Sequence, residues 1–304
     1  VQSADWVHEF SAERDVPLRD LTTVHVGGQA RFLVRPKDAP STAQLLQRLT
    51  EIGLSWRILG GGSNLLVADG EVGPVVVHMV ELQTIERAGD ELIFGAGVAL
   101  QRAVNLTTDE GLAGAEVLTG IPGQIGGALA MNAGGRYGEM ARVVRWAEVA
   151  LPTGALERIS AAALNFGYRS THLPLGAVVT RVAFGLQPSE DRSALKRRAG
   201  AILKEKNAAQ PTQAWNFGCM FKNPEGQSAG KLIEAAGLKG RVQGGARISP
   251  RHGNFIENLG AAKAEEVLSL IRLCELEVLR NSGISLEREV RVWEPLLAPS
   301  SGGS

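Results

Sequence analysis

Two glycine-rich runs hold the residues of this chain best suited to binding a phosphorylated or aromatic group. The first, Ile58-Leu59-Gly60-Gly61-Gly62-Ser63-Asn64-Leu65-Leu66-Val67, sets three glycines and two small polar residues between apolar stretches. Bare amides in such a turn can converge on a diphosphate, with the Ser63 hydroxyl and Asn64 amide as further donors. A flexible hairpin is the structural alternative, and the turn alone leaves the two nearly balanced. The second run, Leu118-Thr119-Gly120-Ile121-Pro122-Gly123-Gln124-Ile125-Gly126-Gly127-Ala128-Leu129-Ala130-Met131-Asn132-Ala133-Gly134-Gly135, alternates glycine with small and apolar residues. Its backbone can lie flat against a planar ring or a second phosphate face, and this favours a cofactor cradle. Two other nucleotide signatures fail. Gly95-Ala96-Gly97-Val98-Ala99-Leu100 lacks the third glycine of a dinucleotide fingerprint, and Gly230-Lys231-Leu232 lacks the Ser or Thr of a P-loop. The cysteines, Cys219 and Cys274, form neither a CxxC pair nor a disulfide framework, and no metal site is implied.

Taken in order and at this separation, the GGGSN turn and the TGIPGxxGGAxxMNAG run resemble the FAD-binding half of the MurB family of reductases. That fold is shared with flavoenzymes of the vanillyl-alcohol oxidase type. The resemblance begins at Thr22-Thr23-Val24-His25-Val26-Gly27-Gly28-Gln29-Ala30, where His25 stands at a position the family fills with arginine or another residue, and continues through nearly the whole chain. It implies bound FAD, NADPH as hydride donor, and reduction of UDP-N-acetylglucosamine enolpyruvate to UDP-N-acetylmuramate for peptidoglycan. The cofactor residues it implies are Gly60, Gly61, Gly62, Ser63, Asn64 and Leu65 in the first run. In the second they are Thr119, Gly120, Ile121, Pro122, Gly123, Gly126, Gly127, Asn132, Ala133 and Gly134.

Further motifs carry the reaction. Phe166-Gly167-Tyr168-Arg169 resembles the family's FGYR, whose arginine faces the enolpyruvyl carboxylate. A planar guanidinium can hold the charge that hydride addition places beside that carboxylate; a surface ion pair is the bland alternative. Gly218-Cys219-Met220-Phe221-Lys222-Asn223-Pro224 resembles GSxFKNP, with cysteine where serine is commoner in the family, at the position that donates the final proton. A thiol with the ordinary pKa of about 8.5 can do this, although a lone cysteine is more often inert packing. Lys222, Asn223 and Tyr168 are implied substrate contacts. So are His252 and Asn254 in Gly244-Gly245-Ala246-Arg247-Ile248-Ser249-Pro250-Arg251-His252-Gly253-Asn254-Phe255-Ile256, against the alternative of structural hydrogen bonding. In Leu286-Glu287-Arg288-Glu289-Val290-Arg291 the resemblance selects Glu289 as the catalytic acid, whereas period-two alternation would put Glu287 and Glu289 on one face.

These residues must be positioned by a scaffold of strands interleaved with helices. Strands are expected at 31–35, 56–59, 75–78, 92–94, 143–151, 178–186 and 289–293, from β-branched and aromatic content between turn residues. A helix capped by Ser41 is expected to turn Leu45, Leu46, Leu49 and Ile52 to one face and stop at Gly53. Others are expected at 99–110, at 192–208, and at 262–281 with Val267, Leu268, Ile271, Cys274, Leu276 and Leu279 as an apolar stripe. The fold class is α+β, with an FAD-binding fold of two α/β lobes plus an α+β substrate-binding domain. The composition shift at Gln187-Pro188-Ser189-Glu190-Asp191 suggests a boundary there. The expected division is an FAD-binding domain at 1–188 with lobes near 1–80 and 81–188, a substrate domain at 189–297, and a flexible tail at 298–304.

Charge and composition limit the partners. Lys plus Arg and Asp plus Glu both total 32 in 304 residues, which removes the electrostatic motive for binding nucleic acid or an acidic membrane. Neither a leader nor a membrane span is evident, so a cytoplasmic enzyme acting on small molecules is expected. Two rivals are an oxidase of the same fold acting on an alcohol or sugar and a non-catalytic flavin or sugar-nucleotide binder. Neither needs Arg169, Cys219 and Glu289 together.

Overall fold

The computed structural model describes residues 5–73 and 75–295, so the expected tail at 298–304 lies outside the described residues. The described residues form two compact units: 5–13, 33–61 and 75–206 belong to the first, and 14–32, 62–73 and 207–295 to the second.

The first unit combines a parallel and an antiparallel sheet. Leu33 and Val34, at the end of the strand Gln29–Val34, pair in parallel with the strand Val75–His78, which pairs in parallel with Trp56–Leu59. The helix Ala39–Glu51 connects Gln29–Val34 to Trp56–Leu59, the two strands that flank Val75–His78. Asp38, not Ser41, is its cap: Asp38 Oδ1 accepts from Ser41 N at 2.7 Å and Ser41 Oγ accepts from Asp38 N at 3.1 Å. Ser41 is thus the reciprocal member of a capping box, and Pro40 occupies the first turn, where its missing N–H costs nothing. Five antiparallel strands follow in the order Leu156–Ser160, Val144–Ala150, Val178–Gly185, Glu91–Gly95, Ile85–Ala88.

The boundary expected at 188/189 falls inside this unit. The basic helix Arg192–Ala209 is tied to it by Lys196 on Asp109 at 2.6 Å, Arg198 on the buried Glu116 at 2.9 Å, and Lys206 on the Thr119 carbonyl at 2.7 Å. The change in composition therefore marks an exposed helix face.

In the second unit the helices Ala229–Ala235 and Ala264–Ser282 share a core with the three-stranded sheet Val242–Gln243, Ala246–Ile248, Ile256–Asn258. Val267, Leu268, Ile271 and Cys274 are buried as expected, whereas Leu276 and Leu279 are 65% and 48% exposed. Leu270 and Val278 fill the stripe in their place, and Gly283 ends the helix in the left-handed conformation. The strand expected at 289–293 begins only at Arg291 and pairs in parallel with Leu65–Val67. Among the described residues no helix is long and apolar enough to cross a membrane.

Among the polar side chains buried in the first unit is a histidine. His78 is buried at the end of its strand and donates to the Gly60 carbonyl, while Nδ1 has no partner. Burial pushes its pKa from 6.5 to about 4, with Arg35 adding to the depression and the bond to Gly60 opposing it. The folded state prefers neutral His78. Its stabilising contribution is complete above 6.5 and is lost as pH falls toward 4, a span worth roughly 3 kcal/mol. Urea unfolding between pH 7.5 and 4.5 should give a steep loss of stability that flattens in His78→Leu; equal slopes would remove His78 from the acid response.

Candidate active site

Within the first unit the two glycine runs meet. A Cβ on Gly61 would lie 3.2 Å from Gly123 Cα, and one on Gly60 would lie 3.5 Å from Gln124 Oε1. Gly123 has φ +108°, which side chains rarely adopt. Both turns therefore offer bare main chain, with the buried Gln124 Oε1 lacking any partner among the described residues. A cradle of this kind, closed to side chains and short of a donor, fits FAD: amides for its phosphates and a bare surface for its rings.

The rest of the second run holds the cradle in shape. Gly120 N donates to Gln101 Oε1 at 2.8 Å, and the Thr119 hydroxyl is turned inward onto the Glu116 carbonyl at 2.7 Å. A Cβ on Gly126 would meet that of Ala96 at 2.8 Å, so this glycine lets the helix Ile125–Ala130 approach the strand end. Gly127, by contrast, faces open space. Gly134 pairs with Glu139, and Ala133 accepts from Met140 N. Ile121 is half-buried and Pro122 exposed.

Asn132 is fully buried and takes φ +41°. Its amide donates to the Gly167 carbonyl at 3.0 Å and accepts from Ala141 N at 3.0 Å. The cofactor residue expected from sequence is thus committed to the turn that carries the arginine. That turn is closed by Gly167 N on Ser170 O at 3.0 Å and its reciprocal at 3.3 Å, and Thr171 Oγ1 anchors it to the Leu129 carbonyl at 2.6 Å. Arg169 itself has φ +56°, an unusual conformation for a residue with a side chain, maintained by these bonds. Its guanidinium lies 5.1 Å from the centre of the half-exposed Tyr168 ring. Lys206 lies close enough that burial and Arg169 together lower its pKa to about 8. Nothing local in the helix expected at 192–208 singles out this lysine; its bond to the Thr119 carbonyl does.

In the second unit a knot of main-chain bonds gathers the other candidates. Glu289 N donates to the Met220 carbonyl at 2.8 Å and Met220 N to the Asn254 carbonyl at 2.9 Å. Cys219 bridges Phe255 in antiparallel fashion. Asn64 Nδ2 donates to the Glu289 carbonyl at 3.0 Å, and Arg291 N to the Asn64 carbonyl at 3.0 Å. Gly62 must be glycine, because φ is +62° and a Cβ would strike the Leu21 carbonyl. Ser63 is half-buried, whereas Leu65 is buried in the strand paired with Arg291.

Alternation could not separate the two acids, and tertiary packing does. Glu287 is exposed and pairs with Lys222 Nζ at 2.5 Å; Glu289 is half-buried beside the Met220 segment. Several expected substrate contacts have structural partners. Asn254 both donates to and accepts from the main chain of Phe221, at 2.8 and 3.0 Å. His252 Nδ1 accepts from Asn254 N at 3.2 Å while its ring packs on Phe255, and burial lowers its pKa. Asn223 Oδ1 accepts from Ala229 N at the start of a helix, at 3.0 Å. Cys219 is partly exposed, whereas Cys274 is fully buried and its thiol is pushed up to about 12 by desolvation.

Comparison with known proteins agrees with this arrangement. An FAD binding domain model matches residues 30–160, and the model for the UDP-N-acetylenolpyruvoylglucosamine reductase C-terminal domain matches 210–293. The reductase of Anaeromyxobacter sp. (strain Fw109-5) is 44% identical over 296 residues, covering 95% of this chain and 92% of its own length. That of Myxococcus xanthus (strain DK1622) is 42% identical over 280 residues, covering 90% of each. The crystal structure of MurB from Thermus caldophilus matches at a TM-score of 0.82 and 43% identity, covering 93% of this chain and 99% of that one. The expected FAD-binding fold and reductase class are borne out, and neither rival reading is favoured. Relatives of this identity spanning nine-tenths of the sequence, together with both domain models in order, mean that the chain belongs to the MurB family of UDP-N-acetylenolpyruvoylglucosamine reductases.

Proposed function

We infer that this chain reduces UDP-N-acetylglucosamine enolpyruvate to UDP-N-acetylmuramate, with NADPH as electron source, in the cytoplasmic supply of peptidoglycan precursors. The observation that carries the chemistry is Arg169, held in an unusual conformation by reciprocal turn bonds and flanked by the desolvated Lys206. A planar guanidinium held in this way can take the enolpyruvyl carboxylate through two parallel bonds.

FAD, held by the two glycine turns, would supply the hydride chemistry that links NADPH to the terminal vinyl carbon of the substrate. Negative charge then builds on the adjacent carbon and its carboxylate, where the Arg169 guanidinium can hold it through two parallel hydrogen bonds. Glu289, in its protonated form, can donate a further bond to the same charge. Cys219 Sγ gives its proton to the charged carbon, which completes addition of H⁻ and H⁺ across the double bond. Asn132 and Asn254 act one step back, by holding the turns on which Arg169 and Cys219 stand. Gly60, Gly61, Thr119–Gly123 and Gly127 we assign to FAD, with Ser63 and Asn64 as supporting donors. Lys222 and Tyr168 we assign to the sugar nucleotide; Lys222 would exchange Glu287 for a substrate phosphate.

Gly61→Val should purify with a small fraction of the wild-type flavin, since its side chain would fill the approach to Gly123. Full flavin content in a folded variant would remove the two glycine turns from the cofactor site. The absorbance ratio near 450 and 280 nm checks this.

Stopped-flow spectroscopy separates the two half-reactions. Arg169→Lys should leave flavin reduction by NADPH near normal and slow reoxidation by the enolpyruvyl substrate by about 100-fold, because a point charge cannot reproduce the planar fork. Glu289→Ala should impair the same step far more than Glu287→Ala, whose loss breaks only an exposed ion pair worth under about 1 kcal/mol. The reverse order would reassign the acid.

Cys219→Ser should remain within about 10-fold of wild type, whereas Cys219→Ala should slow the oxidative step by about 100-fold or more. Alkylation should inactivate through Cys219 alone, the Cys274 thiol being buried and protonated. A normal oxidative step in the alanine variant would place the proton donor elsewhere.

A further inference from the structure

Among the described residues, two buried side-chain polar atoms have no hydrogen-bond partner, His78 Nδ1 and Gln124 Oε1. Both flank one residue, Gly60: His78 donates to its carbonyl, and the Gln124 carbonyl oxygen lies 3.5 Å from where its Cβ would be. Native interiors rarely leave such atoms unmatched, so each calls for an explanation. For His78, the ring satisfies Gly60 with one nitrogen and carries the other bare. Gln124 has no such account. It lies at one of the two unspecified positions of the TGIPGxxGGA pattern, so the motif itself does not assign it.

Its backbone is fixed on all sides. Leu100 N donates to the Gly123 carbonyl at 3.0 Å, Ile125 N to Val98 at 2.9 Å, and Ala128 N to the Gln124 carbonyl at 2.9 Å. The side chain, by contrast, runs along the bare turn, with Cγ 3.6 Å from the Cβ position of Gly61. An amide oxygen held there awaits a donor, and the two glycines beside it have no side chain to supply one.

A diphosphate cannot be that donor, because it offers only acceptors and would repel the oxygen. The parts of FAD covalently next to the diphosphate are the ribityl chain and the adenosine ribose, and both carry hydroxyls. The flavin N3–H and the adenine amino group lie at the far ends of the cofactor. We propose that Gln124 Oε1 accepts a hydrogen bond from a sugar-alcohol hydroxyl of FAD, which makes Gln124 a cofactor-binding residue of this chain. The proposal rests on the assignment of Gly60 and Gly61 to the diphosphate region. Failure of that assignment is seen separately, in the flavin content of Gly61→Val.

The test combines cofactor and protein changes. Apoprotein is titrated by fluorescence with FAD, with FAD built on 2′-deoxyadenosine or 3′-deoxyadenosine, and with FAD analogues lacking single ribityl hydroxyls. One deoxy cofactor should bind the wild-type protein about 10-fold more weakly than FAD, and which one does so identifies ribose or ribityl as the source. The near-isosteric Gln124→Met should bind FAD about 10-fold more weakly and should no longer distinguish that analogue from FAD. Because the analogue series uses wild-type protein, the result does not depend on the variant folding. Equal affinity of the wild type for FAD and every deoxy analogue would overturn the proposal, as would an analogue penalty that persists undiminished in Gln124→Met.

Discussion

The approach of Gly61 to Gly123 is the constraint on which the first unit's candidate site depends. A Cβ at Gly61 would lie 3.2 Å from the opposing Cα, so a side chain there would require the Gly123 turn to give way. Everything around the contact keeps it in place. Gln101 takes the Gly120 amide, Gly126 lets the short helix close on Ala96, and His78 secures the Gly60 carbonyl from below. The glycines are costly in conformational entropy, and strands buried on both faces and a well-capped helix offset that cost.

Asparagine does much of the remaining positioning, because its side chain can imitate a peptide group. Asn132 links the Gly167 carbonyl to the Ala141 amide and so holds the Arg169 turn. Asn254 forms the same two-way pair with Phe221, next to Cys219, and Asn64 ties the Glu289 carbonyl to the start of the final strand. Asn258 accepts from the Gly260 and Ala262 amides while donating to the Val24 carbonyl. In each case a loop that no ladder reaches gains the hydrogen bonds a ladder would have supplied. A reactive side chain on such a loop is then as well placed as one on a strand.

Charge is treated differently at structural and reactive positions. Glu148 accepts bidentate bonds from Arg181 and a bond from Thr180, a saturated pair inside the antiparallel sheet. Lys206 is desolvated and bonds a neutral carbonyl, and burial together with Arg169 lowers its pKa to about 8. The two thiols follow the same division: Cys274 is buried and held protonated, while Cys219 is partly exposed at the edge of a bonded loop.

The glycine turns and the main strands and helices were legible in the sequence, as were, through motif resemblance, the family and its chemistry. Those features are local: a glycine run, a β-branched run or an i, i+4 stripe has its consequence within a few residues. Tertiary structure decided what depended on partners distant in the chain. Alternation placed Glu287 and Glu289 on one face, but Lys222, 65 residues away from Glu287, pairs with Glu287 in the folded chain. The motif gave Asn132 as a cofactor residue, but the bond that ties its amide to the Gly167 carbonyl, 35 residues on, could not be read from it. A shift in composition suggested a boundary at 188/189, yet Arg198 and Lys206 reach back to Glu116 and Thr119 and keep that helix in the first unit. Leu276 and Leu279 matched an apolar stripe by spacing, but the neighbouring elements cover the face of Leu270 and Val278 instead. The physical reason is common to all four: spacing fixes which side chains can share a face, and only the packed chain fixes what that face meets.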